Sequence, residues 1–389
     1  MSAMIYFDNA ATSWPKPSEV VRAMADFLEN VGASPGRSAH RKSLESARIV
    51  YECREALAEL FGVRDPLRIV FTSGATEALN VALQGLLKPG DHVVTSSMEH
   101  NAMMRPLRAL ERKGVHVKVV RCSPRGILDP RDVEAAILPS TRLIALNHAS
   151  NVCGTLLPVA EVGQIARQRG LPLLVDAAQT AGAYPLNVAE SCIDLLAFPG
   201  HKGLFGPPGI GGLYIGDRVP LESLAPLVHG GTGSRSEREE QPDFLPDKYE
   251  AGTPNTVGIA GLLAGVRYVL DHGVQAIREH EAVLAARLIE GLQEVPGVAV
   301  YGPLDPARQA ATVSFTVEGV QPSDVGLRLD DEHGVLCRIG LHCAPAAHRT
   351  LGTFPGGTVR FGLAFSNDRK QVEAALHAVR SISAERRVG

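Results

Sequence analysis

The chain has 389 residues, 45% of them hydrophobic, which is enough to bury two cores at roughly 100–200 residues per domain. Its 39 Lys and Arg against 42 Asp and Glu give a formal net charge of -3, so no basic surplus marks it for nucleic acid or an anionic membrane. Small molecules and proteins are the expected partners, with no nucleic acid and no membrane among them.

The first residues, MSAMIYFDNAATSW, hold no basic stretch followed by an apolar one, and no apolar run approaches the roughly 20 residues that span a bilayer. A soluble cytoplasmic protein is expected. SARIVYECREALAELF puts Ile49, Cys53, Ala56 and Leu60 on one helical face. Short apolar runs then alternate with helical patterns: RIVFTS before ATEALNVALQGLL, DHVVTS before NAMMRPLRALERKG, HVKVVRC, RLIALNHAS before AEVGQIARQRG, LPLLVDAAQ, DLLAFPGHK and GIGGLYIG. Such alternation predicts βαβ units in a mostly parallel sheet, with a ligand bound beyond the carboxyl ends of the strands, where the polar residues cluster. Residues 230–255, rich in Gly, Pro and charge, read as a long surface loop. Two amphipathic helices follow, then the strand-like AATVSFTVEG, GVLCRIG and TVRFGLA, and a last helix, DRKQVEAALHAVRSI. The expected fold class is α/β: a large domain over 15–255 with a mostly parallel sheet, and a smaller α/β domain built from 1–14 and 256–389.

Four strand ends carry chemistry. In RIVFTSGATEAL a Ser-Gly turn opens a helix, so the amides of Ala75 and Thr76 and the Thr76 hydroxyl suit a phosphate, although a well-capped helix alone would read the same way. LPLLVDAAQ ends on Asp176, with Gln179 three residues on; the carboxylate either caps a helix or pairs with a cationic ligand. In DLLAFPGHKGLFG, Lys202 follows His201 amid small and apolar residues, where a partly desolvated amine becomes a nucleophile toward carbonyls. In DHVVTSSMEHNAM, His100 is either a structural hydrogen-bonder or an imidazole laid against a heteroaromatic ring. A carbonyl-reactive lysine, an acid for a pyridinium nitrogen and a helix end for a phosphate together describe pyridoxal 5'-phosphate (PLP). No metal is expected.

With these motifs the chain resembles the fold-type I PLP-dependent transferases of the class V aminotransferase group. Within that group it is similar to the cysteine desulfurase and selenocysteine lyase family. The resemblance runs from IYFDNAATSWPKP to VRFGLAFSN through TSGATEALN, MEHNAM, HASNVCGT, VDAAQ, GHK, EAGTPN and GLHCAP. It implies that Lys202 carries PLP, Asp176 meets the pyridine nitrogen, Gln179 the ring hydroxyl, and His100 the ring face. Ala75, Thr76 and His201 would hold the phosphate, joined by Thr253 from a second subunit, so a homodimer is implied. Asn151 would lie near the ring hydroxyl and the substrate carboxylate. Arg360 would clamp that carboxylate as a two-pronged fork, with Arg338 as a further substrate-binding residue. Relatives often carry a phosphate-binding serine three residues before the lysine; this chain has Pro199, which has neither hydroxyl nor amide hydrogen.

The six cysteines form no CxxC pair and read as reduced thiols. Cys53 reads as a core residue, and Cys122, Cys192 and Cys337 adjoin strand-like runs. Cys343, in the loop RIGLHCAP, reads as a mobile thiol whose pKa a neighbouring imidazolium or Arg338 would lower; Cys153 in HASNVCGT is its rival. The implied reaction is desulfuration of L-cysteine to L-alanine with the sulfur carried on Cys343 as a persulfide, to be passed to an acceptor protein. In it Lys202 removes the α-proton and His100 relays protons. The alternatives are a selenocysteine lyase acting on L-selenocysteine, or a class V aminotransferase or lyase acting on another amino acid. The short RIGLHCAP segment resembles the compact-loop subtype of the family.

Overall fold

The computed structural model describes residues 4–36 and 38–385, so the outermost ends of the expected 1–14 and 256–389 unit fall outside the described residues. The chain enters through a two-residue strand, β1 (Ile5–Tyr6). It then supplies β2 (Ile69–Thr72), β3 (His92–Ser96), β4 (His116–Val120), β5 (Thr141–Asn147), β6 (Leu173–Asp176), β7 (Leu195–Pro199) and β8 (Gly211–Ile215) to one seven-stranded sheet. The spatial order is β2-β8-β7-β6-β5-β3-β4. Strands β3 to β7 pair in parallel, and β8 runs antiparallel to both β2 and β7, so one strand alone opposes the common direction.

The near-continuous apolar runs of these strands hide a period of two. Ile69, Phe71, Val94, Ile144, Leu173 and Leu196 face one buried layer, while Val70, Val93, Leu143, Leu174 and Leu195 face the other. A strand covered by helices on both faces needs apolar residues at every position, which is why no polar alternation is visible in the sequence. Each such side chain taken fully out of water contributes about 1.5–3 kcal/mol. The expected parallel architecture is therefore present, with helices Ala75–Leu86, Asn101–Glu111 and Val159–Gln168 as crossovers.

Three features depart from the sequence reading or add to it. The helix around Cys53 begins earlier, at Arg41, because His40 caps it by accepting from Ser43 N at 3.2 Å. It stops at Phe61 because Gly62 turns left-handed with φ 68°. Helix Thr256–His272, assigned above to the C-terminal unit, packs Ile259, Leu262 and Val266 into the large core. Residues 230–255 form no regular element yet are pinned: the Glu250 carboxylate accepts from Phe71 N at 2.6 Å and from Arg54 Nη2 at 2.6 Å. That carboxylate shields the free edge of β2.

Beyond helix Val274–Gln293 come β9 (Val298–Tyr301), β10 (Thr312–Val317), β11 (Val335–Leu336), β12 (Arg338–Gly340) and β13 (Thr358–Gly362). β1 pairs in parallel with β11, and the antiparallel order β12-β13-β10-β9 completes the second layer. Phe7, Phe315 and Phe361 lie at its core, with Phe7 and Phe361 edge-to-face at 5.3 Å. Among the described residues no single helix is long and apolar enough to cross a membrane.

Close approach of helix Thr256–His272 to the Lys202 loop depends on Gly265. A Cβ there would stand 2.2 Å from Leu204 O and 2.9 Å from Gly206 N. Gly265→Ala should therefore cost about 1–3 kcal/mol in thermal or denaturant unfolding, as overpacked cores do. Gly356→Ala, where nothing lies within 4 Å of the added carbon, is the control expected to unfold as the parent does.

Candidate active site

The carboxyl ends of β2, β3, β5, β6 and β7 converge on a cavity of about 320 Å³, closed on its far side by the C-terminal unit. Lining it are Ala75, Thr76, His100, Asn151, Asp176, Gln179, His201, Lys202, Arg338, Arg360 and Cys343, together with Ser73 and Pro199. Eleven residues singled out from strand ends and loops up to 285 positions apart (75 to 360) thus meet at one place. Thr253 does not: it is exposed and lies away from this cavity in its own chain.

At the β2 end, Gly74 takes φ 151°, a conformation open to glycine, and Ala78 N donates to Gly74 O at 3.2 Å. The amides of Ala75, Thr76 and Glu77 precede that first intrahelical bond, so they remain donors at the positive end of a 12-residue helix. Ser73 N, just outside, donates to Glu77 Oε2 at 2.6 Å.

At the β3 end, His100 Nδ1 accepts from Ala102 N at 3.0 Å and so caps the next helix. The ring also lines the cavity, so a structural bond and a place beside a ligand coexist in one residue. The bond leaves the proton on Nε2, and burial, with Lys202 nearby, pushes the imidazole pKa down to about 4. The ring is neutral, with its Nε2–H as a donor.

Asp176 is 4% exposed, and its Oδ1 accepts from Ala178 N at 2.9 Å. Burial raises its pKa, against which the Lys202 charge acts. The same burial lowers the Lys202 amine to about 8, partly offset by Asp176. The two groups therefore feel each other's charge while neither forms an ion pair among the described residues. Among the described residues His201 Nδ1 is buried without a partner, and burial lowers the pKa of that ring to about 4.

The backbone at His201 and Lys202 is fixed by Ser13 and Lys16, to which the sequence alone assigns no role. Ser13 Oγ donates to Lys202 O at 2.9 Å, Ser13 N to His201 O at 3.0 Å, and Lys16 Nζ to His201 O at 2.8 Å. Gln179 Nε2 donates to Ala10 O at 3.1 Å, tying the same N-terminal segment to the β6 end.

On the opposite wall, Arg338 and Arg360 are direct cross-strand neighbours on β12 and β13. Arg360 is 2% exposed; its Nη2 donates to Asp8 Oδ1 at 2.9 Å and its Nη1 to Asn151 O at 3.0 Å. The expected fork is thus already engaged through both terminal nitrogens, and Nε is a buried donor without a partner among the described residues. Asn151 does not stand free either: its Nδ2 donates to His342 O at 2.6 Å, leaving Oδ1 buried and unpartnered.

The Cys343 loop is held at its backbone, while the thiol itself is exposed. His342 and Cys343 both have left-handed backbones, φ 46° and 57°, of the strained kind that surroundings must enforce. Asn151 grips the His342 carbonyl, and Asn101 N donates to Cys343 O at 2.8 Å. The expected imidazolium beside the thiol is absent. His342 is buried, bonded through Nε2 to Thr358 Oγ1 at 3.0 Å, and pushed down by burial to a pKa of about 2. Arg338 and Arg360 line the same cavity as Cys343.

Cys343 is exposed, whereas its rival Cys153 is fully buried against Thr155 Oγ1 at 3.2 Å and takes no part in the cavity. Burial pushes the Cys153 thiol pKa up. Cys53 is likewise fully buried in the core, as its helical spacing predicts.

The aminotransferase class-V family model matches residues 5–375. The chain is 36% identical to a probable cysteine desulfurase of Methanothermobacter thermautotrophicus, covering 95% of this chain and 92% of the relative. It is 34% identical to a cysteine desulfurase of Haloferax volcanii, covering 97% and 88%. The apo structure of a cysteine desulfurase from Thermococcus onnurineus superposes with a TM-score of 0.92 at 36% identity, covering 98% of this chain and 95% of that one. A cysteine desulfurase of Escherichia coli, solved with an S-sulfonic acid, gives 0.86 at 31% identity over 98% and 95%. With a family model spanning nearly its whole length and relatives of this identity and coverage, the chain belongs to the class-V aminotransferase family, among its cysteine desulfurases.

Proposed function

We propose that the protein is a PLP-dependent cysteine desulfurase that converts L-cysteine to L-alanine and receives the sulfur on Cys343. The observation that carries this reading is the shared cavity of Lys202, Asp176, Arg360 and the exposed Cys343. The residues suit PLP. Among the described residues Asp176 is a buried acid that forms no ion pair and His201 Nδ1 is a buried atom without a partner, and free helix amides lie nearby. Lys202 would link the cofactor, Asp176 would meet its ring nitrogen, His100 its ring face and Gln179 its ring hydroxyl. Ala75, Thr76 and His201 would hold its phosphate, with Ser73 of the same turn as a candidate donor where Pro199 offers none. Bound there, PLP supplies an electron sink for the pair released at the substrate's Cα.

The chain's own groups do the rest. Arg360, with Arg338 beside it, takes the substrate carboxylate, and Lys202 Nζ accepts the Cα proton. The Cys343 thiolate attacks the substrate Sγ, forming an S–S bond as the Cβ–S bond breaks. The electron pair released to the carbon side is protonated to leave the alanine methyl. In sum, L-cysteine and the Cys343 thiol become L-alanine and a Cys343 persulfide, ready for exchange with a thiol of an acceptor protein. The neutral His100, a donor through Nε2, is the candidate proton relay.

Thr253, exposed and away from its own cavity, supports a homodimer in which each copy serves the other's cofactor.

The test is a single turnover of the PLP-loaded protein with L-cysteine and, separately, L-selenocysteine. Equal amounts of L-alanine and of persulfide on the Cys343 peptide are expected from L-cysteine; sulfur on Cys153, or no alanine, would sink the reading. Asp176→Asn keeps an acceptor for Ala178 N but loses the charge that holds a proton on the ring nitrogen. It should lower turnover about 10²–10³-fold, in the range of a lost preorganised electrostatic contact, and weaken PLP binding on equilibrium dialysis.

A further inference from the structure

We infer that Asp8 is a positioning residue for substrate recognition: its carboxylate holds the Arg360 guanidinium in the orientation that meets the carboxylate of the amino-acid substrate. The inference rests on the reading of Arg360 as the carboxylate-binding residue.

Arg360 is a buried cation in mid-strand, and its cross-strand neighbour is a second cation, Arg338. Like charges directly opposite on one sheet repel, and a desolvated guanidinium without a counter-charge is costly. Among the described residues the ion pair that answers this is Arg360 Nη2 to Asp8 Oδ1 at 2.9 Å.

Asp8 is itself held in a rigid frame. It forms a parallel bridge with Gly362, two residues along β13 from Arg360. Gly362 N donates to Phe7 O at 2.7 Å and Asn9 N to Gly362 O at 3.1 Å on either side of it. The backbone ladder thus places Asp8 so that its carboxylate reaches Arg360. Asn151 O takes Nη1 at 3.0 Å, so two acceptors on separate elements fix the plane of the guanidinium. Nε, together with the second hydrogens of the terminal nitrogens, is what remains for a ligand, and a planar donor edge in fixed orientation selects a carboxylate. Asp8 does not line the cavity and acts through Arg360.

The test compares Asp8→Asn, Asp8→Glu and Arg360→Lys in the PLP-loaded protein. The readouts are kcat and KM for L-cysteine, the calorimetric dissociation constant of L-alanine, PLP affinity and melting temperature. Asp8→Asn should raise KM and the L-alanine constant about tenfold, with kcat within about threefold and PLP affinity unchanged. Asp8→Glu, which displaces the carboxylate by one methylene, should raise both by less. Wild-type KM and L-alanine binding in Asp8→Asn overturn the inference. If Arg360→Lys weakens both while Asp8→Asn does not, the role of Asp8 alone has failed. If neither variant weakens them, the carboxylate reading of Arg360 has failed with it. Should Asp8→Asn not fold, Asp8→Glu reads the same split: raised KM at retained kcat supports the role, and wild-type KM overturns it.

Discussion

Cys343→Ser should abolish persulfide formation and alanine release from L-cysteine while leaving PLP binding and the melting temperature at their parent values. Cys343 is exposed, and the bonds that Asn151 and Asn101 make to its loop run through backbone carbonyls, His342 O and Cys343 O, which serine keeps. What serine lacks is a thiolate, the form of sulfur that attacks sulfur. Cys153→Ser is the informative companion variant. Its thiol is fully buried beside Thr155, so the hydroxyl can take over that contact, and turnover should stay near the parent rate. Single-turnover alanine assays and peptide mass measurement on both variants decide the matter. Unchanged alanine production by Cys343→Ser would remove Cys343 from the reaction.

Residues whose chemistry is local are legible in the amino-acid sequence alone. Asp176, His100, Lys202 and the Ser73–Gly74 turn each end an apolar run, and in a parallel sheet such ends share one rim. Legibility stops where a residue's partner is distant in the chain. Asp8 meets Arg360 across 352 positions, Ser13 meets Lys202 across 189, and Asn151 meets His342 across 191. No periodicity or motif spacing encodes such pairs, although the stretch IYFDNAATSWPKP, a point of family resemblance, contains two of these residues. Solvation is illegible for a related reason. His342 adjoins Cys343 in sequence and invites an imidazolium, but the Thr358 bond and burial beside Arg360 keep it neutral. Helix Thr256–His272 illustrates the same limit for packing. Its amphipathic pattern marks an apolar face but does not say which core that face enters.

Lys202→Ala should cost at least about 10⁴ in kcat, the upper range for a single general acid–base group, because the same amine also links the cofactor. PLP should still bind, through Asp176, His201 and the amides at Ala75 and Thr76, but borohydride should no longer fix it to the protein. Two pH effects separate this residue from its neighbours. The reactive form is the neutral amine, and burial has brought its pKa from the ordinary 10.5 down to about 8. Covalent capture of PLP by the apoprotein should therefore accelerate as pH rises toward about 8 and then level off, a profile that Asp176→Asn shifts toward lower pH, since the Asp176 charge supports the ammonium. The second effect is on stability. Between about 8 and the ordinary lysine value of 10.5 the unfolded chain holds a proton on this amine that the folded chain does not, so the contribution of Lys202 to stability improves with pH in that window. Below about 8 its burial penalty is fully present, and removing the amine relieves it. Apoprotein carrying Lys202→Ala should accordingly unfold at a higher denaturant midpoint than the parent apoprotein at about pH 7, with the gap closing toward about pH 10. Covalent PLP retention by the variant, or a variant apoprotein less stable than its parent near neutral pH, would contradict a desolvated, cofactor-linking lysine at this position.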